Sequence, residues 1–287
     1  MTRAAGAGAN ERLAILGGGN IGLAIARGVT RAGLYTPARI TITRRHAGPL
    51  AALESEGFTV TTDNPAAVAS ARIVIAAVPP GRLPDLLDEI APALDPERNI
   101  LVSVVTGART RDIEARVGSA VPLVLAMPNT AIGIGESMTC LAAPRAELAA
   151  RAEVRALFDA VGVTAEIEEE LIGSATALCA CGVAFFLRAV RAASQGGIEI
   201  GFHADEAIRM AAQTARGAAS LLLARDAHPE RHIDSVTTPR GCTIAGLNEM
   251  EHRGFSSALI KGLVTSAGIA GGLYPDARDR EEGPHRR

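Results

Sequence analysis

The sequence predicts an α/β fold: an N-terminal Rossmann-type doubly wound sheet followed by a C-terminal all-helical dimerisation domain. Three observations predict it. A buried strand runs into a glycine turn and a helix across Leu13–Gly22. Short β-branched runs alternate with helical patterns from Arg12 to about Glu168. Beyond about Leu171 the strand signal disappears and Ala/Leu-rich helical patterns replace it. Alternation of strand and helix is the pattern of a parallel sheet covered on both faces.

The predicted strands are Leu13–Leu16, Ile40–Thr43, Thr59–Thr61, Ile73–Ala77, Ile100–Val104, Val121–Ala126, Met138–Ala142 and Thr164–Ile167. Helices fall between them, including Ile21–Ala32, Pro49–Glu56 and Arg145–Val161. Ile73–Val78 is apolar throughout, as a strand buried on both faces must be. Pro79-Pro80 stops it at the carboxyl edge, where ligands bind in such folds. The segment Leu171–Ser194 is nearly free of charge, so it reads as one buried helix ended by Gly196-Gly197. Further helices fit Ala204–Arg225, Thr243–His252 and Ser256–Gly271. Domains are expected at 1–168 and 169–274, with a charged, disordered tail over 275–287. A helical domain this apolar closes on a second copy of itself, so at least a homodimer is expected.

The glycine turn carries the first chemistry. Gly17 and Gly19 allow a sharp bend and close approach to a pyrophosphate, followed by Asn20 and Ile21. Gly22 lets the helix pack on the strand, and the helix N-terminus offers free N–H groups. At the end of the second strand an Asp or Glu would hold a ribose 2′-hydroxyl. Here Arg44 and Arg45 stand instead, and guanidinium forks suit a 2′-phosphate. The cofactor predicted is NADP(H), in preference to NAD(H).

Composition excludes other classes. The chain has 287 residues, a net charge of −2 and no tryptophan, which gives no footing for nucleic acid or an anionic membrane. No apolar run is expected to reach the length of a membrane span. The stretch Met1–Asn10 lacks the apolar core of a secretory signal. The four cysteines, Cys140, Cys179, Cys181 and Cys242, fit no zinc spacing, so no metal is expected. Cys179 and Cys181 read as small core residues on different helix faces. A cytoplasmic setting, in which these thiols stay reduced, is the expectation. Asp226 reads as surface and His228 as loop structure.

Three stretches lie where chemistry is expected. Met127-Pro128-Asn129-Thr130 follows a strand. Gly182–Phe185 lies within the long apolar helix. Val236–Thr243 is a polar turn leading into a helix, whose N–H groups would form an anion nest for a substrate carboxylate. Thr243 reads either as the helix N-cap or as a hydroxyl contacting a substrate nitrogen.

From about Arg12 to Leu273 the chain resembles the pyrroline-5-carboxylate reductases. The resemblance rests on the glycine turn with Asn20, Met127–Thr130, Gln213–Ala219, His228-Pro229, Val236–Thr243, and Glu251 through Gly254-Phe255. It implies NADPH-dependent reduction of a cyclic imino acid, 1-pyrroline-5-carboxylate, to proline. It also implies carboxylate binding at Thr237, Thr238, Arg240, Gly241 and Cys242, with Thr243 at the imine nitrogen. Val78, Pro79, Pro80, Met127, Pro128 and Asn129 would flank the cofactor, and Gly182 and Val183 the substrate. Dimers of this family often assemble into larger rings.

Several positions depart from the family pattern. Its Val-Lys-Pro is Val78-Pro79-Pro80, and its arginine before Met-Pro-Asn is replaced at Leu125. Its Gly-Ser-Gly-Pro-Ala reads Ala180-Cys181-Gly182-Val183-Ala184, which adds bulk and is expected to straighten the helix. Its Ser-Pro-Gly-Gly-x-Thr reads Thr238-Pro239-Arg240-Gly241-Cys242-Thr243. Arg240 is then either an added carboxylate ligand or a solvent-facing side chain. Two alternatives stay open: reduction of a different cyclic imine in specialised metabolism, and a non-catalytic NADP-binding regulator.

Overall fold

The computed structural model describes residues 11–45, 51–224 and 228–272. The expectations for Met1–Asn10, for the start of the Pro49–Glu56 helix, for Asp226 and for the tail lie outside the described residues.

The strands are β1 (Leu13–Leu16), β2 (Ile40–Thr43), β3 (Thr59–Thr61), β4 (Ile73–Ala76), β5 (Ile100–Ser103), β6 (Leu123–Met127), β7 (Ser137–Ala142) and β8 (Gly162–Glu166). They form one eight-stranded sheet in the order β3-β2-β1-β4-β5-β6-β7-β8. Helices α1 (Asn20–Arg31), α2 (Ala51–Ser55), α3 (Asn64–Ala69), α4 (Leu83–Ile90), α5 (Thr110–Val117) and α6 (Leu148–Asp159) connect them. After β8 come α7 (Ile172–Ala175), α8 (Gly182–Glu199), α9 (Ala204–Ala224), α10 (Pro229–Ser235), α11 (Cys242–His252) and α12 (Phe255–Ala270). By compactness the chain divides into a unit ending at Cys181, which the stretch from Ser266 onward joins, and a unit spanning Gly182–Thr265.

In the first unit the strand period of two sorts the core onto two faces. On β1, Leu13 and Ile15 face a layer formed with Ile25 and Val29 of α1 and Phe158 of α6. Ala14 and Leu16 face the opposite layer, with Val68 of α3, Leu87 of α4 and Ile113 of α5. All four β1 side chains are fully buried, which is why this run carries no polar residue.

The sheet departs from the all-parallel expectation at one place. β7 runs antiparallel to β6, with Met127 opposite Cys140. The connection between them holds only a short 3-10 turn, Thr130–Ile134. A parallel return needs a crossover of roughly a dozen residues or more, which this segment does not supply. Element ends also shift. β6 takes in Met127, so the Met-Pro-Asn segment begins inside the strand. α6 is shorter than Arg145–Val161, and β8 starts at Gly162, two residues before the predicted Thr164.

In the second unit α8 packs along α9. The expected terminator, Gly196-Gly197, lies inside α8. A Cβ on Gly197 would stand 3.0 Å from the Ala207 Cβ, so this glycine permits close helix approach. The helix ends instead at Gly201, whose φ is +114°. There the Phe202 N–H bonds to the Gly197 carbonyl at 3.0 Å and the Gly201 N–H to the Ile198 carbonyl at 3.0 Å, a Schellman ending.

The helix expected over Leu171–Ser194 is present as one unbroken helical run, Glu169–Glu199, whose pitch changes within it. The stretch is α7, then a π-turn over Thr176–Cys181, then α8. By length and composition Glu169–Glu199 is apolar enough to cross a membrane, contrary to the expectation that no segment would be. It was also expected to be buried all round, yet Phe186 and Leu187 are exposed at 63% and 62%.

Candidate active site

The first unit gathers the predicted cofactor residues at the carboxyl edge of β1, β2, β4 and β6. Gly17 adopts φ +114°, open to glycine and strained for other residues. A Cβ there would lie 2.3 Å from the Ala77 carbonyl oxygen, so the turn passes directly over the end of β4. A Cβ on Gly22 would lie 2.2 Å from the Gly17 carbonyl oxygen, so only glycine lets α1 start this close to the turn. The N–H groups of Gly17 and Gly18 both bond to the Thr43 carbonyl, at 3.3 and 2.9 Å.

Gly19 is different. It is the extended N-cap of α1, supplies no capping side chain, and a Cβ on it would meet nothing within 4 Å. No acidic residue stands in the first turn of α1. The helix therefore presents free N–H groups and its positive end to open space. Asn20 is exposed there, while Ile21 leans on the core.

Arg44 lays its stem over the turn: a Cβ on Gly18 would stand 2.9 Å from the Arg44 Cγ. Its backbone N–H bonds to Thr61 at 3.3 Å. Arg45 beside it is exposed. Neither arginine has an ion-pair partner among the described residues. A glycine cradle, an uncapped helix and two unpaired guanidiniums suit a dinucleotide phosphate.

Val78 also lines the turn, its Cγ1 being 3.1 Å from where a Gly17 Cβ would sit. Pro79 is exposed and Pro80 opens a 3-10 turn. Met127, Pro128 and Asn129 are all buried. Met127 belongs to the core, so the role open to it at this edge is through its backbone.

Asn129 does most to order this edge. Its Oδ1 accepts the Ala131 N–H at 3.0 Å and so caps the 3-10 turn. Its Nδ2 donates to the Cys179 carbonyl in the π-turn at 3.2 Å. Its backbone N–H bonds to the Ser137 Oγ at 3.2 Å. The sequence showed none of these links, because all but the cap join residues distant along the chain.

Cys179 was read as a core residue with no particular partner. Its Sγ lies 3.8 Å from the Cys140 Sγ. Either thiol can donate in this contact; with Cys140 as donor the bond favours a Cys179 thiolate and lowers its pKa to about 7. That same bond, with burial second, pushes the Cys140 thiol well above the ordinary range. The sequence carried no signal for the pair, because the two cysteines lie 39 residues apart.

The helix segment also differs from expectation. Gly182 and Val183 head α8, buried and half-buried. The bulk of Ala180 and Val183 does not straighten the helix; the preceding Thr176–Cys181 widens into the π-turn.

The second unit holds the turn Val236–Thr243 that was read as an anion nest. The Gly241 N–H bonds to the Thr238 carbonyl at 2.9 Å, closing a turn with Pro239 and Arg240 at its centre. Arg240 has φ +60°, the one positive-φ non-glycine among the described residues. A proline followed by a positive-φ residue is the type II arrangement, in which that second place favours glycine. A Cβ on Gly241 would meet the Thr238 Oγ1 at 2.4 Å and the Thr238 carbonyl oxygen at 3.0 Å, so a larger residue there requires the Thr238 side chain to turn away.

Thr243 is not the helix cap. Gly241 takes that place, α11 begins at Cys242, and Thr243 is its second residue. The half-buried Thr243 hydroxyl makes no hydrogen bond among the described residues. The first turn of α11 carries no acid and no side-chain cap, so its N–H groups are free. Thr237, by contrast, spends its hydroxyl on the Ile233 carbonyl at 2.7 Å and serves the turn's structure. Arg240 is exposed and unpaired among the described residues. His228 is a cap: its Nδ1 accepts the Glu230 N–H at 3.3 Å.

A cavity of about 440 Å³ lies elsewhere in the first unit, beside Thr110, Arg145 and Glu169. None of the predicted site residues lines it. The Glu169 carboxylate already accepts the Thr110 N–H at the start of α5, at 2.7 Å.

Comparison with known proteins agrees with both halves. Residues 12–107 match the family model described as NADP oxidoreductase coenzyme F420-dependent, and residues 169–271 match pyrroline-5-carboxylate reductase dimerisation. Pyrroline-5-carboxylate reductase 1 of Dictyostelium discoideum is 50% identical over 274 residues, covering 91% of this chain and 50% of the relative. The chain thus spans about half the length of that relative. Pyrroline-5-carboxylate reductase 2 of the same organism is 46% identical, covering 90% of this chain and 91% of the relative. Among solved structures, a Coxiella burnetii pyrroline-5-carboxylate reductase superimposes with a TM-score of 0.83 at 26% identity, covering 93% of this chain and 100% of that one. A Plasmodium falciparum pyrroline carboxylate reductase with NADP bound shares the fold, with a TM-score of 0.85 at 22% identity over 93% of this chain and 99% of that one.

Proposed function

The chain belongs to the pyrroline-5-carboxylate reductase family, and from that premise we propose that it reduces 1-pyrroline-5-carboxylate to proline with NADPH, in preference to NADH. The observation that carries the reading is the Thr238–Thr243 turn. Its free helix N–H groups and unengaged Thr243 hydroxyl are what a cyclic imino acid requires.

When bound, the dihydronicotinamide supplies a hydride to the imine carbon. The remaining tasks belong to the protein. The N–H groups of Cys242, Thr243 and Ile244 hold the substrate carboxylate at the positive end of α11. The Thr243 Oγ1 bonds to the imine nitrogen and orients the C=N plane. A threonine hydroxyl is a poor acid, so solvent delivers the proton that makes the imine a better acceptor. Fixing the ring between two such contacts contributes through orientation. Arg240 adds a positive charge beside the nest. In the first unit, α1 and the glycine turn take the pyrophosphate, and Arg44 and Arg45 take the 2′-phosphate that distinguishes NADPH.

The helical unit exposes Phe186, Leu187, Ile200, Leu223 and Ile260. That is more apolar side chain than an isolated surface carries, and it supports a homodimer closed through this unit, with rings of dimers as a further assembly.

The test is the absorbance of NADPH during turnover with 1-pyrroline-5-carboxylate. The wild type turns over. Thr243→Ala lowers kcat/KM by about a hundredfold, the loss of one hydrogen bond made in the transition state. Arg44→Ala with Arg45→Ala raises the KM for NADPH and leaves that for NADH unchanged. An absence of turnover with NADPH still bound overturns this substrate and favours a different cyclic imine, a reading that the unpaired Arg240 would then support.

A further inference from the structure

Two cysteines bracket the segment that supports the cofactor cradle. Cys140 stands directly across from Met127 in the antiparallel step of the sheet. Cys179 supplies the carbonyl that Asn129 holds, at 3.2 Å. Their sulfurs are 3.8 Å apart, near enough for a hydrogen bond but well short of the roughly 2.05 Å of a disulfide. Cys140 is 5% exposed, while Cys179 is half-buried. Cys181 and Cys242 make no sulfur–sulfur hydrogen bond among the described residues.

We propose that Cys140 and Cys179 are a redox-modification site, forming a reversible disulfide under peroxide that weakens cofactor binding at the glycine turn. The second clause rests on the cofactor reading above.

The chemistry is balanced. The Cys179 thiolate attacks one oxygen of hydrogen peroxide; an S–O bond forms, the O–O bond breaks and hydroxide leaves, to be protonated to water. The Cys140 sulfur then attacks the Cys179 sulfur; the S–S bond forms, the S–O bond breaks, and the Cys140 proton leaves with the hydroxide as a second water. The two thiols lose two electrons together and the peroxide gains them. A dithiol reverses the change by exchange. Cys179, the more exposed of the two, is the attacking sulfur and the buried Cys140 the resolving one.

The route to the cradle is contiguous. Closing the sulfurs draws the π-turn toward β7 and displaces the Cys179 carbonyl from Asn129. Asn129 caps the 3-10 turn Thr130–Ile134. That turn lies tight against α1: a Cβ on Gly28 would stand 2.4 Å from the Ile132 carbonyl oxygen. The helix whose N-terminus faces the phosphates is therefore seated on the element that the cysteine pair tethers.

The experiment treats the full chain with hydrogen peroxide and maps its peptides without reduction, beside a fluorescence titration with NADPH. The expected result is a peptide pair joined through Cys140 and Cys179, an NADPH Kd raised about tenfold, the scale of a modest coupling between sites, and full recovery with a dithiol. Cys140→Ala and Cys179→Ala abolish the joined peptides and the Kd change; Cys181→Ala keeps both. The proposal is overturned if Cys179 is recovered only as sulfinic acid, if the joined pair involves Cys181, or if the bond forms with the Kd unchanged. Peptide mapping of the wild type decides the bond even where a variant fails to fold. A reduced chain that does not bind NADPH overturns the cofactor reading and the affinity effect with it, and the bond is still decided by the map.

Discussion

Asn129 ties the end of β6 to the π-turn: its Nδ2 donates to the Cys179 carbonyl at 3.2 Å while its Oδ1 accepts the Ala131 N–H at 3.0 Å. One buried amide thus satisfies a helical carbonyl and a turn N–H at once. Asn129→Ala leaves both unpaired and lowers unfolding stability by about 2 kcal/mol, the usual scale for two lost bonds at a buried site. Asn129→Ser retains an acceptor for the cap and recovers about 1 kcal/mol of that loss. Denaturant titration of the three proteins checks the order.

Gly17 and Gly19 look alike in the sequence and should separate on substitution. Gly17→Ala combines positive φ with a Cβ 2.3 Å from the Ala77 carbonyl oxygen, so the chain loses stability and soluble yield. Gly19 is extended and a Cβ on it meets nothing, so Gly19→Ala keeps the melting temperature. Its methyl group points into the space where the pyrophosphate would approach, and NADPH affinity falls by more than about tenfold. Melting curves alongside NADPH titrations distinguish the two.

Arg240 holds a left-handed conformation without any partner among the described residues. That conformation costs a non-glycine residue roughly 1–2 kcal/mol. Arg240→Gly relieves it, part of the gain being lost to the freer unfolded chain, and stability rises by about 0.5–1 kcal/mol. If Arg240 helps hold the substrate carboxylate, the same change raises the KM for 1-pyrroline-5-carboxylate several-fold with kcat held. An unchanged KM assigns Arg240 to solvent.

The thiol pair predicts a pH dependence. The folded pKa of Cys179 is lowered from the ordinary 9.0 to about 7 by the Cys140 hydrogen bond. A lowered pKa means more thiolate at a given pH, so alkylation of Cys179 by iodoacetamide rises through about pH 7. By linkage, the lowered Cys179 value adds stability as pH rises from about 7 towards the ordinary 9.0, and above that the raised Cys140 value opposes it. Cys140→Ala removes the donor and moves the alkylation midpoint upward. A midpoint unchanged by that substitution removes the stated cause.

Much of the architecture was legible because its signals are local. The β1 run Leu13–Leu16 and the α1 pattern follow from side-chain periods of two and 3.6, and the glycine turn follows from the absence of Cβ at Gly17 and Gly22. Arg44 and Arg45 were legible as residue types at a strand end. The π-turn was hidden, because the Ala/Leu-rich run Thr176–Cys181 has no polar pattern to mark a change of helical pitch. Thr243 was misplaced as a possible cap because Gly241, with no side chain to announce it, ends the turn two residues earlier.

By itself the sequence determined the order of strands and helices, the cradle at Gly17–Gly22, the basic pair and the polar turn, because each depends on bonds and torsions within a few neighbouring residues. The tertiary structure alone decided the antiparallel step at β7, the burial of Asn129 against Cys179 and the meeting of Cys140 with Cys179. Those depend on which distant atoms come within a few ångströms once the sheet closes, and no local periodicity encodes a distance between residues dozens of positions apart.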